Sequence, residues 1–181
     1  MMKTSEIANL LKAKVLAQGD DFMIDNLLLD SRKLNHTESS LFIPLVTQRR
    51  NAHQFIKDVY QSGVRVFIVS EPIETAFYPN AWFLLVENTL TALQQLATLH
   101  RAQFDVPVIG ITGSNGKTIV KEWLHQLLNS DYNIVRSPKS YNSQIGVALS
   151  VWELQAQHNL AIFEAGISQS GEMDALERMI K

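Results

Sequence analysis

The chain has 181 residues, 46% of them hydrophobic and 19% charged, with a formal net charge of −2 and a pI near 6.2. That is length enough for one large domain or two small ones. The charge balance excludes a broad basic field for nucleic acid or anionic lipid, the lack of cysteine excludes disulfides and thiolate metal sites, and no apolar run approaches the roughly 20 residues of a membrane helix.

The opening "MMKTSEIANLLKAK" has neither the apolar core nor the small-residue cleavage site of a signal peptide, and a cytoplasmic location is expected. Thr4 or Ser5 can cap a first helix with Ile7, Leu10 and Leu11 on one face. "FMIDNLLLD" reads as one strand ending at Asp30, "DSRKLNHTESS" as a polar loop and "LFIPLV" as a strand. "NAHQFIKDVYQSG" reads as a helix with Phe55, Ile56, Val59 and Tyr60 inward. "VRVFIVS" and "AWFLLVE" are two further strands, and "NTLTALQQLATLHRAQF" is a helix carrying Leu90, Leu93, Leu96 and Ala97 in register.

"DVP", from Asp105 to Pro107, looks like a seam, after which strand and helix alternate strictly. Strands are expected at Val106–Thr112, near Tyr132–Arg136 and at "LAIFEAG", with helices over Lys117–Asn129, near Ser143–Leu154 and from Gly171. This alternation predicts parallel strands joined by right-handed crossovers. The chain is therefore read as an α/β protein: a small N-terminal α/β domain over 1–104, followed over 105–181 by the first part of a P-loop parallel-sheet domain. The third strand of that second domain is expected at an open edge.

The chemistry concentrates in "VPVIGITGSNGKTIVKEWLHQLL". The generic phosphate-loop spacing fails, because Ile111 stands where its first glycine belongs. Gly110, Gly113 and Gly116 nevertheless precede Lys117 and Thr118 between a strand and a helix. Glycines allow close backbone approach to an anion, and amides at a helix N-terminus face it. Lys117 adds a point charge for phosphate oxygens, and the Thr118 hydroxyl suits Mg²⁺. Glu164 follows the apolar run "LAIF" at the strand edge where parallel sheets hold ligands, and suits the same metal. Asn142 and Ser143 precede a helix and, on residue type alone, read as its cap. His53, His100 and His125 have no metal-ligand spacing, Trp123 and Trp152 read as core, and Arg49-Arg50 is either a solvated pair or an anion contact.

"GITGSNGKT" resembles the ATP loop of the Mur ligases, which build the peptidoglycan stem peptide. "DSRKL", "SSLFIPLV" and "NAHQFI" are similar to the UDP-binding N-terminal domain of the MurE and MurF branches, and "YNSQIGVALSVWEL" and "FEAGISQSGEMDAL" to segments of the central domain, the latter favouring MurF. Asn51-Ala52 stand where the family usually has Asp-Gly, Ala148 where Pro is common, and Ile119-Val120 where the helix start is usually Thr-rich. The style also resembles versions fused to an alanine racemase.

The resemblance implies an ATP- and Mg²⁺-dependent ligase that joins D-Ala-D-Ala to UDP-MurNAc-tripeptide through an acyl phosphate. It implies Lys117 as the catalytic residue, with Gly110, Thr112, Gly113, Ser114, Asn115, Gly116, Lys117, Thr118 and Asn142 on ATP. It also implies Ser31, Arg32, Asn142 and Ser143 on the substrate, and Thr118 and Glu164 on the metal. It further implies that a metal-site histidine, a carbamylated lysine and a C-terminal domain follow in cis, so that these 181 residues alone are expected to be inactive. The competing expectations are another ligase of the superfamily, MurE-like or folylpolyglutamate-synthase-like, and a non-catalytic nucleotide-binding module.

Overall fold

The structure is a computed structural model, and it describes every residue except Asn35, Gln48 and Arg49. The expectation about Arg49 thus lies outside the described residues, while the Arg50 guanidinium rests 4.7 Å over the Phe55 ring. The chain divides into two compact units, Met1–Ala92 and Leu93–Lys181.

The first unit contains β1 (Met2–Lys3), α1 (Thr4–Leu10), β2 (Lys14–Ala17), β3 (Met23–Ile24), β4 (Asn26–Leu28), β5 (Ser40–Phe42), β6 (Val46–Thr47), β7 (Arg50–Asn51), α2 (Ile56–Gln61), β8 (Val66–Val69) and β9 (Trp82–Leu85). Its main sheet has the order β2-β9-β8-β5-β4, parallel throughout except for antiparallel β2. Phe42, Phe67 and Phe83 are fully buried on neighbouring strands, with Phe67 and Phe83 stacked at 4.8 Å. Ile56 and Val59 of α2 belong to the same core. Placing three large apolar side chains beside one helix face supplies the burial that a unit this small needs.

Several expectations are corrected here. The single strand over "FMIDNLLLD" is two, because β3 pairs with β1 whereas β4 pairs with β5, and the Asp25 amide between them bonds Ser39 O at 3.1 Å. "LFIPLV" also splits, since Pro44 has no amide to continue the ladder; its carbonyl instead accepts from the buried Thr89 hydroxyl. Neither Thr4 nor Ser5 caps α1: the Asp21 carboxylate does so from outside the helix, taking the Ser5 amide at 2.9 Å and its hydroxyl at 2.8 Å.

Helix α3 (Thr89–Arg101) runs across the division between the units. Asn88 Oδ1 caps it by accepting from the amides of Leu90 and Thr91. The second unit's share of it carries buried Leu93, Leu96, Ala97 and His100, one continuous helical face. His100 donates from Nε2 to Leu154 O at 2.9 Å, and its ring lies 4.6 Å from Trp152. These contacts explain why the compact units divide at residue 92, earlier than the seam at Asp105.

The rest of the second unit alternates as its pattern requires: β10 (Val108–Ile111), α4 (Lys117–Leu128), β11 (Ile134–Arg136), α5 (Gln144–Trp152), β12 (Leu160–Glu164) and α6 (Glu172–Ile180). All pairs are parallel, but the order is β10-β12-β11. The last strand is therefore central and not an edge. The connection through α4 leaves one strand position empty, and β12 enters it, so its five residues are all buried. Trp152 is buried as expected, but Trp123 is 63% exposed, on the face of α4 that also carries exposed Val120 and Leu127. Helical periodicity identifies an apolar stripe and cannot say which stripe the sheet takes.

Candidate active site

The loop after β10 opens into α4 through two glycines in the left-handed region, Gly113 at φ 127° and Gly116 at φ 81°. A β-carbon at either would meet nothing within 4 Å, so the loop's outer face is free for a ligand to approach. Gly116 caps α4 without any side-chain bond, leaving the first amides of a twelve-residue helix unclaimed by a capping side chain. Lys117 folds back along this loop, and its Nζ donates to Gly113 O at 2.6 Å. Thr112, Gly113, Ser114, Asn115 and Gly116 are all exposed. Such a glycine-lined loop leading into a helix N-terminus, with a lysine alongside, is suited to polyphosphate.

Thr118 and Glu164 meet under the loop. Thr118 Oγ1 donates to Glu164 Oε2 at 3.0 Å, and Glu164 is fully buried at the C-terminal end of β12. The Glu164 amide donates to the Ser137 hydroxyl at 3.0 Å, which ties β12 to the exit of β11. Lys121, one turn beyond Lys117, is also fully buried, and its Nζ lies 3.0 Å from Glu164 Oε1. The ammonium directs hydrogen bonds to Ser137 O at 2.7 Å and to Lys139 O, and Glu164 Oε1 itself receives none. Glu122 Oε1 is a further neighbour of Lys121 at 3.2 Å, and Arg136 lies 3.2 Å from the other Glu122 oxygen. Burial acts to raise the Glu122 carboxyl, but the bonds from Arg136 and Lys121 outweigh it and hold it below the ordinary value.

These donors fit a hard cation. A hydroxyl and a carboxylate with an under-bonded buried oxygen are the kind of ligands Mg²⁺ takes, with phosphates and water completing its shell. Among the described residues there is no cluster of three or more His, Asp or Glu that would make a protein-only metal cage.

Asn142 and Ser143 stand beside the same strand end. Ser143 caps α5, its hydroxyl accepting from the Gly146 amide at 3.2 Å, as its residue type suggested. Asn142 O accepts from the Gly166 amide at 2.8 Å, and a β-carbon on Gly166 would lie 3.0 Å from the Asn142 side chain. Past this contact, Glu172 gathers the amides of Ser168 and Gln169 at 2.6 and 3.0 Å and a bond from Gln144 at 2.9 Å. The backbone bonds from Ser168 and Gln169 lead in lowering its carboxyl below the usual range.

In the first unit, Ser31 and Arg32 follow β4. Arg32 is engaged: its Nε and Nη2 fork onto Asp30 at 2.9 and 2.7 Å, which holds the Asp30 carboxyl far below its usual range. His53 is buried, its Nε2 accepting from the Ser70 amide at 3.0 Å and its Nδ1 facing Asn51 Oδ1 at 2.7 Å, so it closes a loop instead of binding metal. A cavity of about 320 Å³ in this unit, bordered by Glu71, Glu87 and Asn88, includes none of the site residues expected from sequence.

The sequence thus indicated the loop, Thr118 and Glu164, which the structure brings together, and missed Lys121 and Ser137. A lysine in an amphipathic helix ordinarily reads as solvated, and nothing local marks this one as buried.

Residues 111–181 match the Mur ligase middle domain. Over 96% of its length the chain is 34% identical to the UDP-N-acetylmuramoyl-tripeptide–D-alanyl-D-alanine ligase of Bacillus subtilis, and over 93% it is 31% identical to the protein of that name from Escherichia coli. It spans 37% and 36% of the lengths of those relatives. Crystal structure I of MurF from Acinetobacter baumannii superposes with a TM-score of 0.86 over 99% of this chain and 39% of that one, at 28% identity. MurF ligase from Thermotoga maritima in complex with ADP superposes at 0.74 over 85% of this chain and 35% of that one, at 25% identity. With one kind of relative running along almost its whole length and the middle-domain match starting at the glycine loop, this chain is similar to the Mur ligase family, and to its MurF branch in particular.

Proposed function

We propose that these residues bind ATP and the UDP-linked substrate for an ADP-forming ligase that adds D-Ala-D-Ala to UDP-MurNAc-tripeptide in peptidoglycan assembly. The observation that carries this reading is the meeting of Thr118 and Glu164 beneath an uncapped, glycine-lined helix start. A carboxylate is a poor electrophile because its leaving group would be oxide. Transfer of the γ-phosphoryl to the tripeptide's terminal carboxylate gives an acyl phosphate and ADP; the amine of D-Ala-D-Ala then attacks the acyl carbon, loses a proton, and phosphate departs.

Most of the protein's work in such a reaction is positioning and charge neutralisation. The amides from Gly113 to Thr118 face the phosphates, with Gly110, Thr112, Ser114 and Asn115 shaping the loop. Lys117 exchanges its bond to Gly113 O for the transferring phosphoryl. Thr118 and Glu164 would hold Mg²⁺, which when bound offsets charge on the phosphate oxygens. Asn142 and Ser143 lie at the strand end beside that site, and Ser31 and Arg32 take the uridine end, Arg32 loosening its fork on Asp30. The reaction belongs in the cytoplasm, where ATP and the nucleotide-linked precursor are present.

The test is ADP release with ATP, Mg²⁺, UDP-MurNAc-tripeptide and D-Ala-D-Ala, run on a protein that carries these residues at the full length of its relatives. One amide per ADP, dependent on both substrates, is expected, and no turnover from the 181 residues alone. ADP release indifferent to both substrates would overturn the reading.

A further inference from the structure

We propose that Lys121 is a positioning residue of this site: its buried ammonium sets the orientation of Glu164 and ties it to the backbone that leads to Asn142. The inference rests on the nucleotide and metal reading above, and goes beyond it by assigning a residue that touches neither phosphate nor cation.

A fully buried lysine is costly unless several acceptors surround it. Lys121 has four: Ser137 O, Lys139 O, Glu164 Oε1 and Glu122 Oε1. An ammonium has three hydrogens. The two carbonyls are the aligned acceptors, and Glu164 Oε1 stays within 3.0 Å without a directed hydrogen bond. Lys121 therefore attracts this carboxylate and fixes its place without consuming the oxygen. Thr118 takes the other oxygen, so the carboxylate is held at both ends.

The same ammonium binds three stretches of chain that meet at the site. It rides on α4, one turn after Lys117 and on the same side of the helix. It holds Glu164 at the end of β12. Through Ser137 and Lys139 it holds the segment leaving β11, where Lys139 adopts a left-handed φ of 50° that an ordinary side chain enters only at a cost. Three residues later that segment supplies Asn142, whose carbonyl receives the Gly166 amide just past Glu164. Moving Lys121 would loosen the cation side of the loop while leaving the amide nest around Gly113 and Gly116 in place.

The test compares ADP binding to the 181-residue chain in Mg²⁺ and in EDTA, for the unsubstituted chain, K121M and K121R. Mg²⁺ should tighten binding to the unsubstituted chain. In K121M that tightening should shrink by about 10-fold or more, with binding in EDTA changed by less than about 3-fold, the range expected for a lost charge-positioning group. K121R should recover part of the tightening, because it keeps the charge but spreads its donors over a planar fork. Should K121M fail to fold, K121R decides: a tightening reduced by at least about 3-fold with EDTA binding intact supports the inference, and an unchanged one overturns it. Equal loss in Mg²⁺ and EDTA, or full retention in folded K121M, would also overturn it. Absence of ADP binding by the unsubstituted chain would overturn the nucleotide reading itself, and this inference with it.

Discussion

Thr118 and Glu164 stand 46 residues apart in the chain, and the Thr118 hydroxyl donates a 3.0 Å hydrogen bond to Glu164 Oε2. The bond joins the first turn of α4 to the end of the central strand of a parallel sheet. A cation bound there would take oxygen lone pairs from both side chains, so the hydroxyl must turn its hydrogen away while the carboxylate stays where it is. The pair is already within reach of one ion, and little chain movement is needed to build the site.

Lys117→Ala should weaken nucleotide binding without removing the fold. The side chain donates to Gly113 O on the exposed loop, a bond of modest net value. Affinity for ADP should fall by about 10-fold or more, with the unfolding free energy changed by no more than about 1 kcal/mol. Calorimetric titration and thermal unfolding of one preparation check both halves. ADP affinity equal to that of the unsubstituted chain would remove Lys117 from the site.

Glu164→Gln keeps the shape and deletes the charge. In the proposed ligase reaction, assayed on a protein that carries these residues at the full length of its relatives, the rate should fall by about 100-fold or more, on the scale of ~2.7 kcal/mol for a lost charge-positioning group. The substitution also leaves Lys121 buried without its fully buried carboxylate neighbour. Breaking such a pair costs about 3–5 kcal/mol at most, here softened by the remaining acceptors. The unfolding midpoint should therefore drop as well. A variant with unchanged Mg²⁺ dependence would move the metal elsewhere.

Gly146→Ala tests the packing that seats Asn142. A β-carbon at Gly146 would lie 2.9 Å from the backbone of Tyr141, and backbone cannot rotate away as a side chain can. Helix α5 must then back off from the segment carrying Asn142 and Ser143. Overpacking of this kind costs about 1–3 kcal/mol. A midpoint within experimental error of the unsubstituted chain would show that this contact yields more readily than the geometry implies.

Acid should weaken the fold through its histidines. Burial lowers the His53 and His100 pKa values below the ordinary 6.5, only partly opposed at His53 by Glu71 and at His100 by the Leu154 carbonyl. At His53 the Ser70 amide donates to Nε2, which demands a neutral ring there. His125 and His158 shift the same way, again chiefly by burial. With folded values below unfolded ones, the unfolded chain takes up protons first as pH falls. Their stabilisation is thus complete above about pH 6.5 and is lost as pH drops below it towards the folded values. Unfolding midpoints should be lower at about pH 5.5 than at about pH 7.5. Equal midpoints would contradict the burial argument.

The second unit was the more legible of the two. Its helices are long enough for periodicity to speak, and glycines followed by Lys117 and Thr118 at a strand-to-helix junction have few other uses. The first unit is built from strands of two to four residues, too short for any period. Strand β2, with exposed Lys14 and Val15, gave no signal, because its place is set by pairing with β9. Strand order was equally hidden: alternation predicts parallel strands but not that β12 lies between β10 and β11. Lys121 was illegible for a related reason. Apart from the adjacent Glu122, its acceptors come from residues 137, 139 and 164, and only folding assembles them.

The most direct test of the account is a crystal structure of the 181-residue chain with a non-hydrolysable ATP analogue and Mn²⁺ in place of Mg²⁺. The account predicts phosphates against the amides from Gly113 to Thr118. It also predicts an anomalous Mn²⁺ peak at coordination distance, about 2.0–2.3 Å, from Thr118 Oγ1 or a Glu164 carboxylate oxygen. A nucleotide bound away from the loop, or a Mn²⁺ peak remote from both residues, would contradict it.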